Sequence, residues 1–300
     1  MYPVNPELMD YLEKNHRLTN IRFYYDDLLR FSDYMPVHDK EGKDTLWLNV
    51  YYPEFEHAEI EANLNKIYTL LHSDGDVDVL PFLKVDSIHF CTFGNSKPFR
   101  IRVRNILNDN YTNFYIKKAD ASRIYGLELE EILSPNRINF LLYKDTLIEE
   151  HILGIPGDVF IEKHLDQCSP QEKAQIAKEF VKFNERCLIG LLGDMRSYNY
   201  VVIPAHDFDQ VVYRIRPIDF DQQCYEGNLK IYLPQYFKEN KKMVEMVYDR
   251  LKPNSIEQYR KEVRSAIAKR ASTDGRLPHL LEIMKRDEIS KPEHVEELKA

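Results

Sequence analysis

Residues 193–203 read GDMRSYNYVVI and residues 216–223 read RPIDFDQQ, and these two segments decide the fold that we predict. The runs NYVVI (199–203) and VVYRIRPID (211–219) are rich in β-branched and aromatic residues, and the turn-forming run PAHDFDQ separates them. They predict a β-hairpin. Because the return strand of a hairpin folds back beside the first, the start of one strand and the end of the other lie close together.

Three polar side chains stand at that end of the predicted hairpin. Asp194 and Asn199 are five positions apart on the loop that opens it, and Asp219 ends its return strand. Phosphoryl transfer requires a carboxylate that accepts a hydroxyl proton, with an asparagine and a second carboxylate that hold magnesium. Each motif alone also has an ordinary explanation, a chance Asp-x4-Asn spacing or an Asx turn at a strand end. Their combination and order make the functional interpretation more specific.

The remaining sequence predicts strands in the first half and helices in the second. Before residue 81 the pattern predicts a helix over residues 6–34, a strand over 45–52 and a helix over 57–72. Three strand-like runs then form a meander, VDSIHFCTF, PFRIRVRNI and TNFYIKKA, followed by the helix ASRIYGLELEEIL and by two strand candidates, TLIEEHILGI and DVFIEKHL, that meet at Pro156 and Gly157. From residue 169 the pattern is mainly helical, with helices predicted near 235–251, 255–272 and 277–286. This is an α+β arrangement.

In this order the motifs resemble those of the protein-kinase-like superfamily, nearest to aminoglycoside- and choline-kinase-like phosphotransferases and HipA-type kinases. The resemblance implies a two-lobed fold with an antiparallel β-sheet N-lobe and a mainly helical C-lobe. We expect a kinase-like N-lobe (81–164) and a helical C-lobe that carries the hairpin (165–300). Residues 1–80 have no counterpart in the resemblance and are expected to form an N-terminal α/β extension packed on the N-lobe. No Ala-Pro-Glu element follows Asp219, so a regulated eukaryotic-type protein kinase is disfavoured.

The resemblance also assigns roles in a site for ATP and Mg²⁺. Asp194 matches the catalytic aspartate, and Asn199 and Asp219 match the metal-binding residues. Asp221 is either a second metal contact or a structural cap. Arg196 either binds a substrate anion or braces the loop by pairing with an acid.

On the strand side, the resemblance implies a lysine on the third strand of the meander, paired with a glutamate of the following helix. The run NFYIKK supplies Lys117 and Lys118, and two-residue alternation favours Lys117 on the functional face. Glu128 is the favoured partner, with Glu131 one turn along as the alternative.

Two backbone segments would complete the nucleotide site. The loop TFGNSK (92–97), with a single glycine, would cover the phosphates, and the run FIEKH (160–164) would be the hinge that binds the adenine edge. The implied cofactor-binding residues are Gly94, Asn95 and Ser96 in the loop and Phe160, Glu162 and His164 in the hinge.

Composition limits the partners. The formal net charge of -8 disfavours nucleic acid, and the basic run KPFRIRVR (97–104) is interpreted as a strand with one solvated basic face, or less simply as an approach to nucleotide phosphates. Four dispersed cysteines argue against a zinc site or a disulfide scaffold. With no apolar run near 18 residues, we expect a soluble, cytoplasmic, reduced protein with no membrane segment.

The function that this sequence predicts is ATP- and Mg²⁺-dependent phosphorylation of a hydroxyl of a small molecule. A HipA-type protein kinase, or an enzyme that transfers AMP, is the alternative within the fold. A pseudokinase, acting as a nucleotide- or protein-binding module, is the alternative outside catalysis. The acceptor substrate and the oligomeric state stay open.

Overall fold

The computed structural model describes residues 2–207 and 210–300, and the chain divides into two compact units. The first, the strand unit, contains Pro6–Ala119 and Ile138–His151. The second, the helical unit, contains the N-terminal residues up to Asn5, Asp120–Arg137 and Ile152–Ala300. The predicted α+β class is confirmed. The units differ from the division at residues 80 and 164, because residues 6–80 belong with the strands and 120–137 with the helices.

The strand unit is built on one seven-stranded antiparallel sheet. Its elements are α1 (Pro6–Lys14), α2 (Tyr25–Leu28), β1 (Asp33–His38), β2 (Asp44–Tyr51), α3 (Glu54–His72), β3 (Leu83–Cys91), β4 (Phe99–Asn105), β5 (Asn110–Lys118), β6 (Phe140–Tyr143) and β7 (Thr146–Glu150). The strand order is β1-β2-β3-β4-β5-β7-β6, so the predicted meander β3-β4-β5 lies at the centre.

One face of this sheet carries the core of the strand unit. Alternate residues of β4 and β5 point to it, among them Ile101, Phe114 and Ile116, all fully buried. Helix α3 supplies Leu64 and Ile67, also fully buried, to the same apolar cluster. Since successive side chains of a strand point to opposite faces, the residues between these form a second face, which is polar and partly exposed.

The predicted helix over residues 6–34 is wrong in its length. α1 ends at Lys14, and His16 has a left-handed backbone with φ 57°. The chain then pairs with β6: the Thr19 N–H donates to the Leu142 carbonyl, and the Leu142 N–H donates to the Arg17 carbonyl. Apolar residues at helical spacing lie before and after this segment. The pattern therefore did not indicate its strand-like pairing with residues far along the chain.

The helical unit combines helices with a three-stranded antiparallel sheet of order β10-β9-β8. Its elements are α4 (Ala121–Leu133), β8 (Ile155–Pro156), α5 (Gly157–Val159), α6 (Pro170–Gly190), β9 (Tyr200–Asp207), β10 (Gln210–Pro217), α7 (Lys241–Arg250), α8 (Pro253–Thr273), α9 (Leu277–Arg286) and α10 (Pro292–Lys299). None of the helices in the described part of the chain is both long enough and apolar enough to cross a membrane.

The predicted hairpin is present as β9 and β10, paired from Pro217 opposite Tyr200 onward. Within the predicted loop PAHDFDQ, residues 208 and 209 lie outside the described residues. Helix α6, which leads into the hairpin, begins with a capping box in which Ser169 and Glu172 exchange hydrogen bonds. It ends at Gly190, and the left-handed backbone of its C-cap residue, Leu191, turns the chain toward the loop.

The predicted strand DVFIEKHL is a helix instead. Residues 157–167 form consecutive helical turns after β8. Phe160, Ile161 and Leu165 are the buried apolar residues of this run, and their spacing of one, four and five positions suits a helix face rather than strand alternation. Position 157, where these turns begin, requires glycine because a Cβ there would overlap the Tyr200 ring and the Ser197 carbonyl.

Candidate functional site

The loop between α6 and β9 is closed by its own hydrogen bonds. The Asn199 side-chain amide donates to the Asp194 carbonyl (2.7 Å), and the Asn199 N–H donates to the Arg196 carbonyl (2.9 Å). The far end of the hairpin joins this loop, since the Ile218 N–H donates to the Asn199 carbonyl (3.0 Å). Asp219 therefore follows directly on a residue that is hydrogen-bonded to Asn199, as the hairpin predicted.

Asp194 is held in an unusual conformation by charged neighbours. Its backbone is left-handed (φ 56°), and its side chain remains 31% exposed. Arg196 Nε donates to Asp194 Oδ1 (2.8 Å), while another nitrogen of the same guanidinium donates to Glu239 Oε1 (3.0 Å). The guanidinium also lies 5.1 Å from the centre of the Phe237 ring. Arg196 thus braces the loop, one of the two roles that the sequence left open.

The electrostatics of this group follow from the same contacts. The hydrogen bond to Asp194 raises the pKa of Arg196, which keeps the guanidinium charged. Burial pushes the pKa of Glu239 upward, but its own backbone N–H and Arg196 outweigh burial and lower the pKa overall. Burial raises the pKa of Tyr198, which stands exposed between Arg196 and Asn199. The ion pairs are therefore formed at neutral pH.

A buried asparagine supports the loop from beneath. Asn240 is fully buried, and its side-chain amide donates to the Met195 carbonyl (3.0 Å) and to the Pro234 carbonyl (2.8 Å). The Tyr200 hydroxyl donates to Asn240 Oδ1 (2.8 Å). Every polar atom of this amide is used within the protein, so the loop rests on a satisfied, rigid network.

The two aspartates of the IDFD motif have different surroundings. Asp221 forms a short ion pair with Arg123 of α4, a residue that is 3% exposed. Asp219 is half-buried, and its Oδ1 accepts from the Asp221 N–H (3.3 Å). Between them, Phe220 is buried and contacts Gly126 of α4, where a Cβ would be 3.0 Å from the Phe220 Cβ. The contacts of Asp221 are those of a structural anchor between α4 and the hairpin.

The donor set of the loop suits a hard divalent cation. The Asn199 amide nitrogen faces Asp194, so its oxygen points away from Asp194 within the same amide plane, and Asp219 adds a carboxylate. Mg²⁺ binds proteins through one or two such oxygens, with water and substrate phosphate completing the octahedron. Among the described residues, no cluster of three His, Cys, Asp or Glu side chains could hold a metal by itself. Asn199 and Asp219 fit a phosphate-bound ion, whereas Asp221 is occupied by Arg123.

In the strand unit, Lys117 and Lys118 point to opposite faces of the sheet, as their alternation predicted. Lys118 pairs with Asp26 (3.1 Å) at an exposed position. Lys117 is 8% exposed and pairs with Glu149 of β7 (2.8 Å), a residue that is itself 6% exposed. Glu128 is fully buried on α4 in the helical unit, and its pairing with Lys117 stays a prediction.

The two predicted backbone segments differ in outcome. Gly94, Asn95 and Ser96 lie on the connection from β3 to β4, where Gly94 has a φ of 82°. Phe160 is not part of an extended hinge, because its N–H donates to the Gly157 carbonyl and its own carbonyl accepts from the Leu165 N–H. Glu162 and His164 lie on the same helical turns. The chain passes from the strand unit to the helical unit for the last time between His151 and Ile152.

Three charged residues of these networks were not singled out by the sequence. They are Arg123, Glu149 and Glu239. For Arg123 and Glu149 the available signal was a charged residue in a largely apolar segment, SRIYGLEL and TLIEEHI, whereas Glu239 lies in the polar run FKENKK and gave no such signal. Their partners lie 98, 32 and 43 positions away, beyond the reach of helix or strand periodicity.

The chain matches no protein-family model, and no curated protein is similar to it in sequence.

Proposed function

We propose that this protein is an ATP- and Mg²⁺-dependent phosphotransferase that phosphorylates a hydroxyl group of a small molecule. The observation that supports the proposal is the hydrogen-bonded junction of Asn199 with Ile218. This junction puts Asp194, Asn199 and Asp219 on one hairpin end. Each has the chemical type and order that the reaction requires.

In the proposed reaction, the acceptor hydroxyl oxygen attacks the γ-phosphorus, the bond from that phosphorus to the β,γ-bridging oxygen breaks, and ADP leaves. Asp194 takes the hydroxyl proton. Its exposed carboxylate can reach a substrate, and Arg196 and Asn199 fix its position. Asn199 and Asp219 would hold Mg²⁺, which neutralises the charge of the phosphate oxygens.

Replacement of Asp219 by alanine tests this proposal. We expect Asp219→Ala to lower Mg²⁺-dependent ATP turnover by at least about a hundredfold, the loss typical of an electrostatic group at the reacting phosphate. Circular dichroism should be unchanged, because Asp219 is half-buried and lies at a strand end. The matched control is Asp166→Ala, an exposed carboxylate of the same unit that is 75% accessible. Full activity of Asp219→Ala would contradict the mechanism.

A pseudokinase is the second candidate, and one observation favours it. The Asp194 carboxylate already accepts a hydrogen bond from Arg196, so one of its oxygens is engaged before any substrate binds. Thermal-shift titration with ATP separates the two functions when it is combined with turnover. A ligand at about 100 times its dissociation constant stabilises a protein by about 2.7 kcal/mol. A shift with ATP but no turnover supports the pseudokinase.

A further inference from the structure

The polar face of the strand-unit sheet carries a transverse row of side chains centred on Arg100. Register places Asn49 opposite His89, His89 opposite Arg100, Arg100 opposite Tyr115 and Tyr115 opposite Glu149. Directly opposite residues in adjacent strands share a face. Five neighbouring strands, β2 to β5 and β7, therefore contribute one side chain each to this row.

Aromatic groups surround the guanidinium of Arg100. It lies 4.6 Å from the centre of the Trp47 ring, and one of its nitrogens is 2.9 Å from His89 Nδ1. The Trp47 ring is 6.5 Å from the Tyr115 ring, which is 5.6 Å from the His151 ring. All five side chains are partly exposed. They form a surface with flat rings around a cation.

The positive charge of Arg100 is not matched by an acid. On the same strand and face, Arg102 pairs with Asp86 (3.5 Å) and Arg104 with Asp109 (2.5 Å). Lys117, farther along this face, is matched by Glu149. Within the part of the chain that the structure describes, no carboxylate lies at ion-pair distance from Arg100.

The neighbours of Arg100 are neutral. Burial, and then Arg100 and Arg102, lower the pKa of His89 to about 4, and burial together with Arg100 lowers the pKa of His151. Burial raises the pKa of Tyr115, although Arg100 and Lys117 oppose this rise. At neutral pH this part of the face therefore has one excess positive charge, in a protein whose formal net charge is -8.

We infer that this face binds a small organic oxyanion that carries a planar ring, with the oxyanion on Arg100 and the ring against Trp47 and Tyr115. A planar guanidinium with donors on one edge matches a phosphate or carboxylate, and the rings give a ligand of similar shape a surface for stacking. A phosphate and a carboxylate can both accept hydrogen bonds from the guanidinium, and the binding experiment distinguishes between them. A nucleic acid is disfavoured because one unmatched arginine on an acidic protein would not hold a phosphate backbone.

The single tryptophan of the chain makes the test direct, because its fluorescence reports from this face alone. The probes are phenyl phosphate and benzoate, with inorganic phosphate as the anion without a ring and phenol as the ring without an anion. We expect a saturable change of Trp47 fluorescence with phenyl phosphate or benzoate, and a weaker or absent response to inorganic phosphate and to phenol. The ring-bearing anion that binds more tightly shows whether the site prefers a phosphate or a carboxylate.

Arg100→Met should lower the affinity for the tighter-binding probe by about tenfold or more, the loss expected for a hydrogen-bonded charge pair. Arg104→Met is the matched control, since it removes an arginine from the same strand and face whose charge Asp109 already balances. If Arg100→Met loses its circular dichroism spectrum, Arg100→Gln, whose amide can still bond to His89, takes its place.

Absence of a saturable response to both ring-bearing anions, or equal weakening in the Arg100 and Arg104 variants, would overturn the inference. Tighter binding of a single-stranded oligonucleotide than of phenyl phosphate would overturn the small-ligand assignment. All residues of this inferred site belong to the strand unit, so the site does not depend on whether the protein transfers phosphate. A normal fluorescence response without ATP turnover, or the reverse, distinguishes the two proposals.

Discussion

The hairpin end of the helical unit and the polar face of the strand-unit sheet differ in how their charged side chains are paired. At the hairpin, Asp194 is bound by Arg196, Arg196 by Glu239, and Asp221 by Arg123. On the sheet face, Lys117 is matched by Glu149, whereas Arg100 contacts the neutral rings of His89 and Trp47. Paired charges are held in position before a ligand arrives, whereas a partly buried unmatched charge is stabilised when an opposite charge binds.

The largest effect that we predict on stability concerns the buried ion pair of the sheet face. Lys117→Met leaves the Glu149 carboxylate buried without a cation, and this should lower the free energy of unfolding by about 3 kcal/mol. One oxygen of that carboxylate, Oε1, is already buried without a hydrogen-bond partner, so no second donor replaces the lysine. Urea unfolding measures the change.

Lys118→Met is the control for this variant. Its partner Asp26 is 60% exposed, so the loss should stay within about 0.5 kcal/mol. Equal losses in the two lysine variants would show that burial does not distinguish the two faces of β5.

The anchor between α4 and the hairpin should give the next largest effect. Arg123→Met removes the partner of Asp221, and because Asp221 is 31% exposed, water recovers part of the loss. We expect the free energy of unfolding to fall by about 2 kcal/mol. Lys242→Met, which breaks an exposed pair with Asp166, should change it little. An unchanged Arg123→Met protein would mean that the pair does not hold the IDFD motif.

A smaller effect, on activity rather than on folding, should follow from Glu239→Gln. This variant removes the negative charge that pairs with Arg196, the residue that positions Asp194. We therefore expect kcat for ATP turnover to fall by about tenfold or less while KM for ATP stays constant. Glu245→Gln, an exposed change in the same unit, is the control. A rise in KM with an unchanged kcat would argue that Arg196 binds substrate rather than positions Asp194.

The smallest effect concerns the pH dependence of stability. The folded pKa of His89 is about 4, below its ordinary value of 6.5, so the unfolded chain takes up a proton that the folded chain refuses between these values. Stability should therefore be complete above pH 6.5 and fall as the pH is lowered toward 4. Because His89 is partly exposed, we expect this contribution not to exceed about 1 kcal/mol.

His89→Gln carries no titrating ring at this position, so its stability should fall less than that of the wild type from pH 7 to pH 5. Urea unfolding at the two pH values measures both slopes. Identical slopes would mean that Arg100 and burial do not hold His89 neutral.

Most elements were predictable because they depend on local pattern. The helix ASRIYGLELEEIL and the hairpin of β9 and β10 were found by apolar periodicity and by turn residues. The errors arose where distant parts of the chain decide the structure. Residues 17–19 leave the helix to pair with β6, and the helix after Gly157 forms where that glycine contacts Tyr200.

Within the candidate site, residue type and order predicted that Asn199 and the end of the return strand would meet. The long-range ion pairs were beyond such reasoning. Nothing local links Arg123 to Asp221 or Glu239 to Arg196, since each pair joins elements that only tertiary packing brings together. The unmatched charge of Arg100 was equally hidden, because KPFRIRVR does not reveal which of its arginines finds an acid.

A double-mutant cycle tests most directly whether Asn199 and Asp219 act on one magnesium ion. Mg²⁺-dependent ATP turnover is measured in Asn199→Ala, Asp219→Ala and the double variant, together with the Mg²⁺ concentration that gives half of the maximal rate. If both side chains hold the same ion, the double variant should lose little more activity than the more damaged single variant. Fully additive losses, or wild-type Mg²⁺ dependence in either single variant, would contradict the account.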